Sequence, residues 1–307
     1  MPGLTARHVV VATDENFAMP TAVTLRSLVE NGGGPFAISV LHNGLRTDVR
    51  DRITASVPGA GWTIDWHDVS HFDVRPTTAS HLPDSTYFRL RLADAIPDDV
   101  TRVTYLDVDV LVRRDISALW EDDLNGATIG AVRSVHFPFV GSRGAINDWR
   151  VLGLDPRAPF FNAGVLAVDM DRWRANATAD ATLRYLRSTH CGHGADQEAL
   201  NAVTEGQWHE FAPAFNQQTP LLDDKHGAHL FHRDDEIDTA RADPAIVHFQ
   251  TRPKPWQRQC AHPWKDAWVE VARQTEFDPI VGLRERSVRD ELRRRTRRAA
   301  SALVKGT

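Results

Sequence analysis

Two aspartates separated by one residue, Asp107 and Asp109, interrupt the apolar run Val103–Val112, which reads VTYLDVDVLV. Like charges side by side in a buried segment are costly. They become tolerable where a strand emerges into a cleft, and more so with a cation between them. A strand alternates its faces, so both carboxylates would point one way and Val108 and Val110 the other. Two oxygen ligands leave most of the coordination sphere of Mg²⁺ or Mn²⁺ open for a substrate's phosphates. A strand end with two solvated aspartates is the competing reading, because an Asp-x-Asp pair alone carries little information.

Other residues could do chemistry beside that pair. Asp14, Asn16 and Phe17 follow the short apolar run His8–Thr13. Asp14 and Asn16 could bond a base or ribose and Phe17 could stack on a ring; a helix start with Asp or Asn as its cap serves equally well. Arg89 and Arg91 lie on different sides of the helix expected over Ser85–Ala95, so one can face inward, and a buried Arg needs an anion. Asn162-Ala163-Gly164 opens an apolar run to Met170, and its small pair permits close approach of a ligand or a second backbone, or marks a bulge. Ala195-Asp196-Gln197-Glu198 opens a helix that runs to about Val203, and ordinary capping is the alternative for Asp196 and Gln197. The stretch Leu221–Asp238 is rich in Asp and His, but its irregular spacing reads as a solvated loop rather than a metal centre.

The elements that must position these residues alternate. Strands are expected at His8–Thr13, Phe36–His42 and Trp62–Val69, with helices between them, the first ending at Asn31-Gly32-Gly33-Gly34. That alternation predicts an α/β fold with a doubly wound, mostly parallel sheet, whose ligands bind outside the carboxyl ends of the strands. Further expectations are one strand over Val103–Val112, a helix over Ile116–Leu124, a strand at Ala127–Val132, one helix over Arg172–Ser188 and a strand at Ala245–Gln250 carrying His248. The chain of 307 residues divides into a main domain over 1–275 and a basic tail over 276–307. Its net charge of −5 excludes nucleic-acid binding by bulk electrostatics. Two cysteines, Cys191 and Cys260, provide no disulfide framework, and no apolar run reaches transmembrane length; a cytoplasmic chain is expected.

Six segments together resemble the motifs of family 8 retaining glycosyltransferases, in order: HVVVATDENF, STYFRLRL, YLDVDVLV, FFNAGVLAV, ADQEALN and HFQTRPKPW. The similarity spans roughly residues 8–270 and is strongest to bacterial galactosyl- and glucosyltransferases that extend lipopolysaccharide. It implies a Rossmann-like GT-A fold and transfer of galactose or glucose from a UDP-sugar to a hydroxyl of a glycan or glycolipid. Asp107, Asp109 and His248 would hold Mn²⁺, or Mg²⁺ in its place. Asp14, Asn16 and Phe17 would hold uridine, with Ala12, Thr13 and Val108 completing the nucleotide contacts. Lys254 would bind the diphosphate beneath Thr251. Arg89, Asn162, Ala163, Asp196 and Gln197 would surround the donor sugar, with Asp196 and Gln197 nearest the reacting carbon. Gln197 is neutral and a poor nucleophile, so the resemblance points to attack from the face that UDP leaves. Two positions depart from the family: Thr251 stands where Gly is common, and Phe17 where Tyr is common. A β-branched residue resists positive φ, so the loop over the diphosphate is expected to differ.

Rival readings attach to the same residues. Asp107 and Asp109 also suit a haloacid-dehalogenase-type phosphatase, as nucleophile and acid, and a non-catalytic nucleotide-sugar binder would keep the same pocket. The segment Arg284–Lys305 can form a basic amphipathic helix, a candidate for peripheral contact with the anionic inner face of a membrane; a solvated basic tail is the alternative.

Overall fold

The computed structural model describes residues 6–72, 84–188 and 195–277. His81, the His190–Gly194 turn and the tail beyond residue 277 lie outside the described residues. Strands β1 (Arg7–Thr13), β2 (Phe36–His42) and β3 (Trp62–Asp68) alternate with helices α1 (Ala18–Asn31) and α2 (Thr47–Ala55). A seven-stranded sheet runs β3-β2-β1-β4-β7-β6-β8, where β4 is Arg102–Leu106, β6 Ile129–Arg133, β7 Phe161–Asp169 and β8 His209–Glu210. Pairing is parallel except that β7 runs antiparallel to both its neighbours. A smaller sheet, β5-β10-β9, joins β5 (Val110–Val112), β10 (Ile246–His248) and β9 (Gln217–Gln218). The expected mostly parallel α/β architecture is present.

Period-two alternation explains the two cores. On β1, Val10 and Ala12 enter the cluster with Val103, Tyr105, Leu166 and Trp173. Val9 and Val11 enter the opposite cluster with Leu25, Ile38, Leu106 and Val165. Both faces are therefore covered, as a mostly parallel sheet requires. A third cluster, containing Val23, Leu111, Val247, Trp256 and Trp268, ties the small sheet to α1 and to the last described helix, Lys265–Ala272. Strand order reverses between β1 and β4, because β2 and β3 lie on one side of β1 and β4 on the other. The carboxyl ends at Thr13 and Leu106 thus flank the switch point, where a crevice is expected.

Several expected elements need correction. Val103–Val112 is not one strand: β4 ends at Leu106 and β5 begins at Val110 in the other sheet. Two ladders divide it, since Asp107 N–H donates to Gly164 O across the large sheet while Asp109 O accepts from Phe249 N–H beside the small one. Ser85–Ala95 is mainly a 3₁₀ helix, Asp84–Arg91, followed by a single α turn. Ile116–Leu124 shrinks to Ala118–Glu121. Arg172–Ser188 is two helices, Met170–Ala175 and Thr178–Ser188, broken at Ala177 with φ of 47°. Leu221–Asp238 is not simply a solvated loop. Leu221, Ala228 and Ile237 are buried, and a helix runs over Asp234–Ala242.

Candidate active site

A cavity of about 480 Å³ opens beside the switch point, between the ends of β4, β7 and β10. Its wall brings together nine of the residues expected from sequence: Arg89, Asp107, Asp109, Asn162, Ala163, Asp196, Gln197, His248 and Thr251. Ala12, Thr13, Asp14, Asn16, Phe17, Val108 and Lys254 are not part of that wall. Thr13 is fully buried, its hydroxyl 2.7 Å from that of Thr21. Asp14 caps the next turn, accepting from Asn16 N–H at 2.8 Å, and its other oxygen accepts from the Ser85 hydroxyl at 3.0 Å. Asp14 thus caps the turn, as one of its two expected readings has it. Phe17 meets Trp256 edge-on, with centroids 6.0 Å apart. Val108 is buried, and its carbonyl accepts from Thr24. Thr251 lines the cavity without positive φ, so its β-branched side chain is unstrained there.

Asp107, Asp109 and His248 converge: one ligand atom from each lies within 4.8 Å of the other two. Each carboxylate divides its oxygens. Asp107 Oδ1 accepts from Arg89 at 2.8 Å and from the Tyr105 hydroxyl at 3.1 Å. Its Oδ2 faces His248 Nε2 at 3.8 Å. Asp109 Oδ2 accepts from Lys254 Nζ at 2.5 Å, and its Oδ1 faces His248 Nε2 at 3.3 Å. Burial alone would raise the Asp109 carboxyl, but Lys254 and His248 hold it well below the usual carboxylate range. The group is an anion across the neutral pH range. Two carboxylate oxygens and one imidazole nitrogen directed at a common point suit a borderline-to-hard divalent ion.

Gly164 is what permits this convergence. A Cβ there would lie 2.2 Å from His248 Cε1 and 2.9 Å from Asp107 Oδ2. The small pair at 163–164 thus makes room for the side chains of His248 and Asp107, and it also lies in an irregularity of β7: Ala131 pairs with Leu166 but Val132 with Asn162, so residues 163–165 are passed over in the β6–β7 ladder.

Arg89 joins the two halves of the site. It is 4% exposed and donates to Asp107 and to Ala163 O, with Nε 2.9 Å from Asp196 Oδ2. Burial opposes its charge, yet Asp107 and Asp196 raise its pKa beyond the ordinary arginine value. Arg91, by contrast, pairs with Asp94 near the surface. Asp196 is not a helix cap: it lies in the first turn of Ala195–Thr204, buried, with Oδ2 making no hydrogen bond despite its contact with Arg89. Burial raises its pKa against the pull of Arg89. Gln197 Oε1 accepts from Ala163 N–H at 3.0 Å and from Asn162 Nδ2 at 3.1 Å, leaving its NH₂ group to meet a ligand.

Sequence reasoning missed Gln250, His136, Phe137, Ser134 and Thr86 on the wall, and Asn216 behind it. Gln250 had a signal, since a period of two from His248 puts both on one side of the chain. Asn216 had none, because its role depends on contacts distant in sequence.

The sequence model described as "Glycosyl transferase family 8" matches residues 8–260, and the chain belongs to that family. It is 28% identical over 282 residues to General stress protein A of Bacillus subtilis, covering 89% of this chain and 95% of the relative. It is 26% identical to the glycosyltransferase GlyF of Streptococcus pneumoniae, covering 66% of this chain and 45% of GlyF. Among solved structures, the galactosyltransferase LgtC, in complex with donor and acceptor sugar analogues, superposes with a TM-score of 0.69 at 24% identity, covering 89% of this chain and 97% of that one. That likeness defines the GT-A fold. Family membership sets aside the phosphatase reading of Asp107 and Asp109. Among the described residues, no helix is long and apolar enough to cross a membrane.

Proposed function

We propose that this glycosyltransferase moves a hexose, galactose or glucose, from a UDP-sugar to a hydroxyl of a glycan or glycolipid, with retention of the anomeric configuration. The observation that carries this reading is the convergence of Asp107, Asp109 and His248 on the wall of a cavity that also bears Arg89, Asp196 and Gln197. The donor set fits Mn²⁺, and a divalent ion there would neutralise charge developing on a departing diphosphate. Lys254, now on Asp109 and Phe249 O, supplies a fixed cation beside the same point. The Asp196 carboxylate, paired with Arg89 through Oδ2, keeps further lone pairs that suit a sugar hydroxyl as acceptors of its hydrogen bond.

Retention by double displacement needs a nucleophile under the anomeric carbon. Gln197 is poorly suited, because both lone pairs of its Oε1 already accept hydrogen bonds. Its NH₂ group can instead donate to a donor-sugar or acceptor oxygen. Asp196 is buried against Arg89, which holds it in place. These features favour front-face transfer, in which the acceptor hydroxyl attacks from the side UDP leaves and a phosphate oxygen takes its proton.

The test is thermal melting with UDP, ADP and GDP, with and without Mn²⁺. UDP at ~100 times its dissociation constant should stabilise the fold by about 2.7 kcal/mol, and only with the metal. A donor panel then reads transfer. UDP binding without transfer or hydrolysis of any UDP-sugar would leave a nucleotide-sugar binder; no nucleotide response at all would refute the donor site.

A further inference from the structure

Behind the site runs a buried chain of amide side chains whose orientations follow from backbone N–H groups. Gly164 N–H can only donate, and it donates to Asn162 Oδ1 at 3.0 Å. The Asn216 atom 2.9 Å from that same oxygen must therefore be its Nδ2. Asn216 Oδ1 then faces His248 Nδ1 at 2.9 Å, and the proton between them must belong to the imidazole. The other ring nitrogen, Nε2, is the atom directed at Asp107 and Asp109. At its other end, Asn162 Nδ2 donates to Gln197 Oε1 and to Gln250 Oε1, each at 3.1 Å. Asn216, Asn162 and His248 are all buried, Asn216 completely.

We propose that Asn216 is a positioning residue: it fixes His248 as the Nδ1–H tautomer with its Nε2 lone pair on the metal point, and through Asn162 it locks that imidazole to the orientation of Gln197. This rests on the metal reading above. Asn216 itself lies behind the cavity wall and touches the site only through His248 and Asn162. Its rigidity has a local source, the Pro213–Asn216 turn ahead of β9, which pairs with β10 and so holds Asn216 in fixed register with His248.

The experiment has two readouts besides turnover. In metal-free protein, ¹⁵N NMR of the His248 ring should show a proton on Nδ1, and an unprotonated Nδ1 overturns the inference whatever the metal does. In Mn²⁺ titration by calorimetry, Asn216→Ala should weaken binding 10–100-fold, the usual cost of losing a group that orients a ligating histidine. Asn216→Asp keeps an acceptor for Nδ1–H and should recover most of that loss, although it cannot donate to Asn162. Near-UV circular dichroism checks that both variants fold; should Asn216→Ala fail that check, Asn216→Asp and the NMR measurement decide. Equal Mn²⁺ affinity in wild type and Asn216→Ala overturns this inference alone. A wild type that takes up no Mn²⁺ overturns the metal reading and this inference with it.

Discussion

Replacing Gly164 with Ala tests the site at its most crowded point. The added Cβ would stand 2.2 Å from His248 Cε1 and 2.8 Å from its Nδ1. Carbon atoms in contact sit at about 3.5 Å, so the ring or the strand must give by roughly 1.3 Å. The ring has little room to retreat, being 3% exposed and tied to Asn216. Movement of β7 would instead strain the Asp107 N–H to Gly164 O bond, which sets the first aspartate. Metal–ligand distances tolerate only about 0.2 Å, so either response removes a ligand from place.

A misplacement of about 1 Å costs on the order of 100-fold in rate, or about 2.7 kcal/mol in the barrier. The same crowding should destabilise the fold by about 1–3 kcal/mol, at ~2–4 °C per kcal/mol for a chain of this size. The assay is Mn²⁺ affinity and kcat/KM on the best donor, with Tm alongside. Gly130→Ala is the control. Its Cβ would meet Phe211 Cε2 at 2.5 Å and Leu124 Cδ2 at 2.7 Å, inside the core and away from the cavity. It should lower Tm without a selective loss of metal affinity. Gly164→Ala protein that keeps wild-type Mn²⁺ affinity and turnover would show that the three ligand atoms do not form the working site.

Other perturbations follow from the same geometry. Asp109→Ala should abolish turnover and Mn²⁺ binding while the protein stays folded, as read by donor assay and calorimetry; an active variant would refute the ligand set. Arg89→Met leaves Asp107 and Asp196 facing each other without their shared cation, and in metal-free protein should cost about 3–5 kcal/mol by urea unfolding; an unchanged midpoint would mean the ion pairs contribute nothing. His232 is 8% exposed, and burial followed by Arg133 lowers its pKa from 6.5 to about 4. Between those values the unfolded chain binds the extra proton, so stability should fall as pH drops from 6.5 to about 4, by roughly 2–3 kcal/mol, and level off below. His232→Leu should flatten that part of the pH–stability profile, and an unaltered slope would assign it elsewhere.

The alternation of β1, α1, β2, α2 and β3 was legible because each element carries its own period and its own stop signal. Asn31-Gly32-Gly33-Gly34 ends α1 where the sequence predicts, since Gly33 adopts φ of 80°. The break after Leu106 was not legible. Val103–Val112 has the composition of one strand, and only the partners on either side, β7 for one half and β10 for the other, divide it. Segment Asp84–Arg91 misled for a related reason. Its spacing suits a helix, but Arg89 must reach Asp107, Asp196 and Ala163 O at once, and a 3₁₀ turn accommodates that. In both places tertiary demand at the site overrides local preference, as expected where function is concentrated.

Most residues legible from sequence are those whose type suits ligand chemistry, although His136, Phe137, Ser134 and Thr86 on the wall were missed, and the residue that aims them, Asn216, was illegible. Carboxylates, imidazole and guanidinium announce themselves by type, since each is costly to bury without purpose. An asparagine such as Asn216 does not, because in isolation it reads as turn chemistry. Yet the donor directions of Gln197, Asn162 and Asn216 descend from two backbone N–H groups, Ala163 and Gly164, on one strand. β7 therefore does more than complete the sheet. Its opening residues accept Asp107 N–H, leave space for His248, orient Gln197 and, through Asn162 and Asn216, set the imidazole. On the proposed function, metal binding and sugar positioning would share that one support, so a disturbance at 162–164 should impair both together, whereas loss of Lys254 or Asp196 should affect one side at a time.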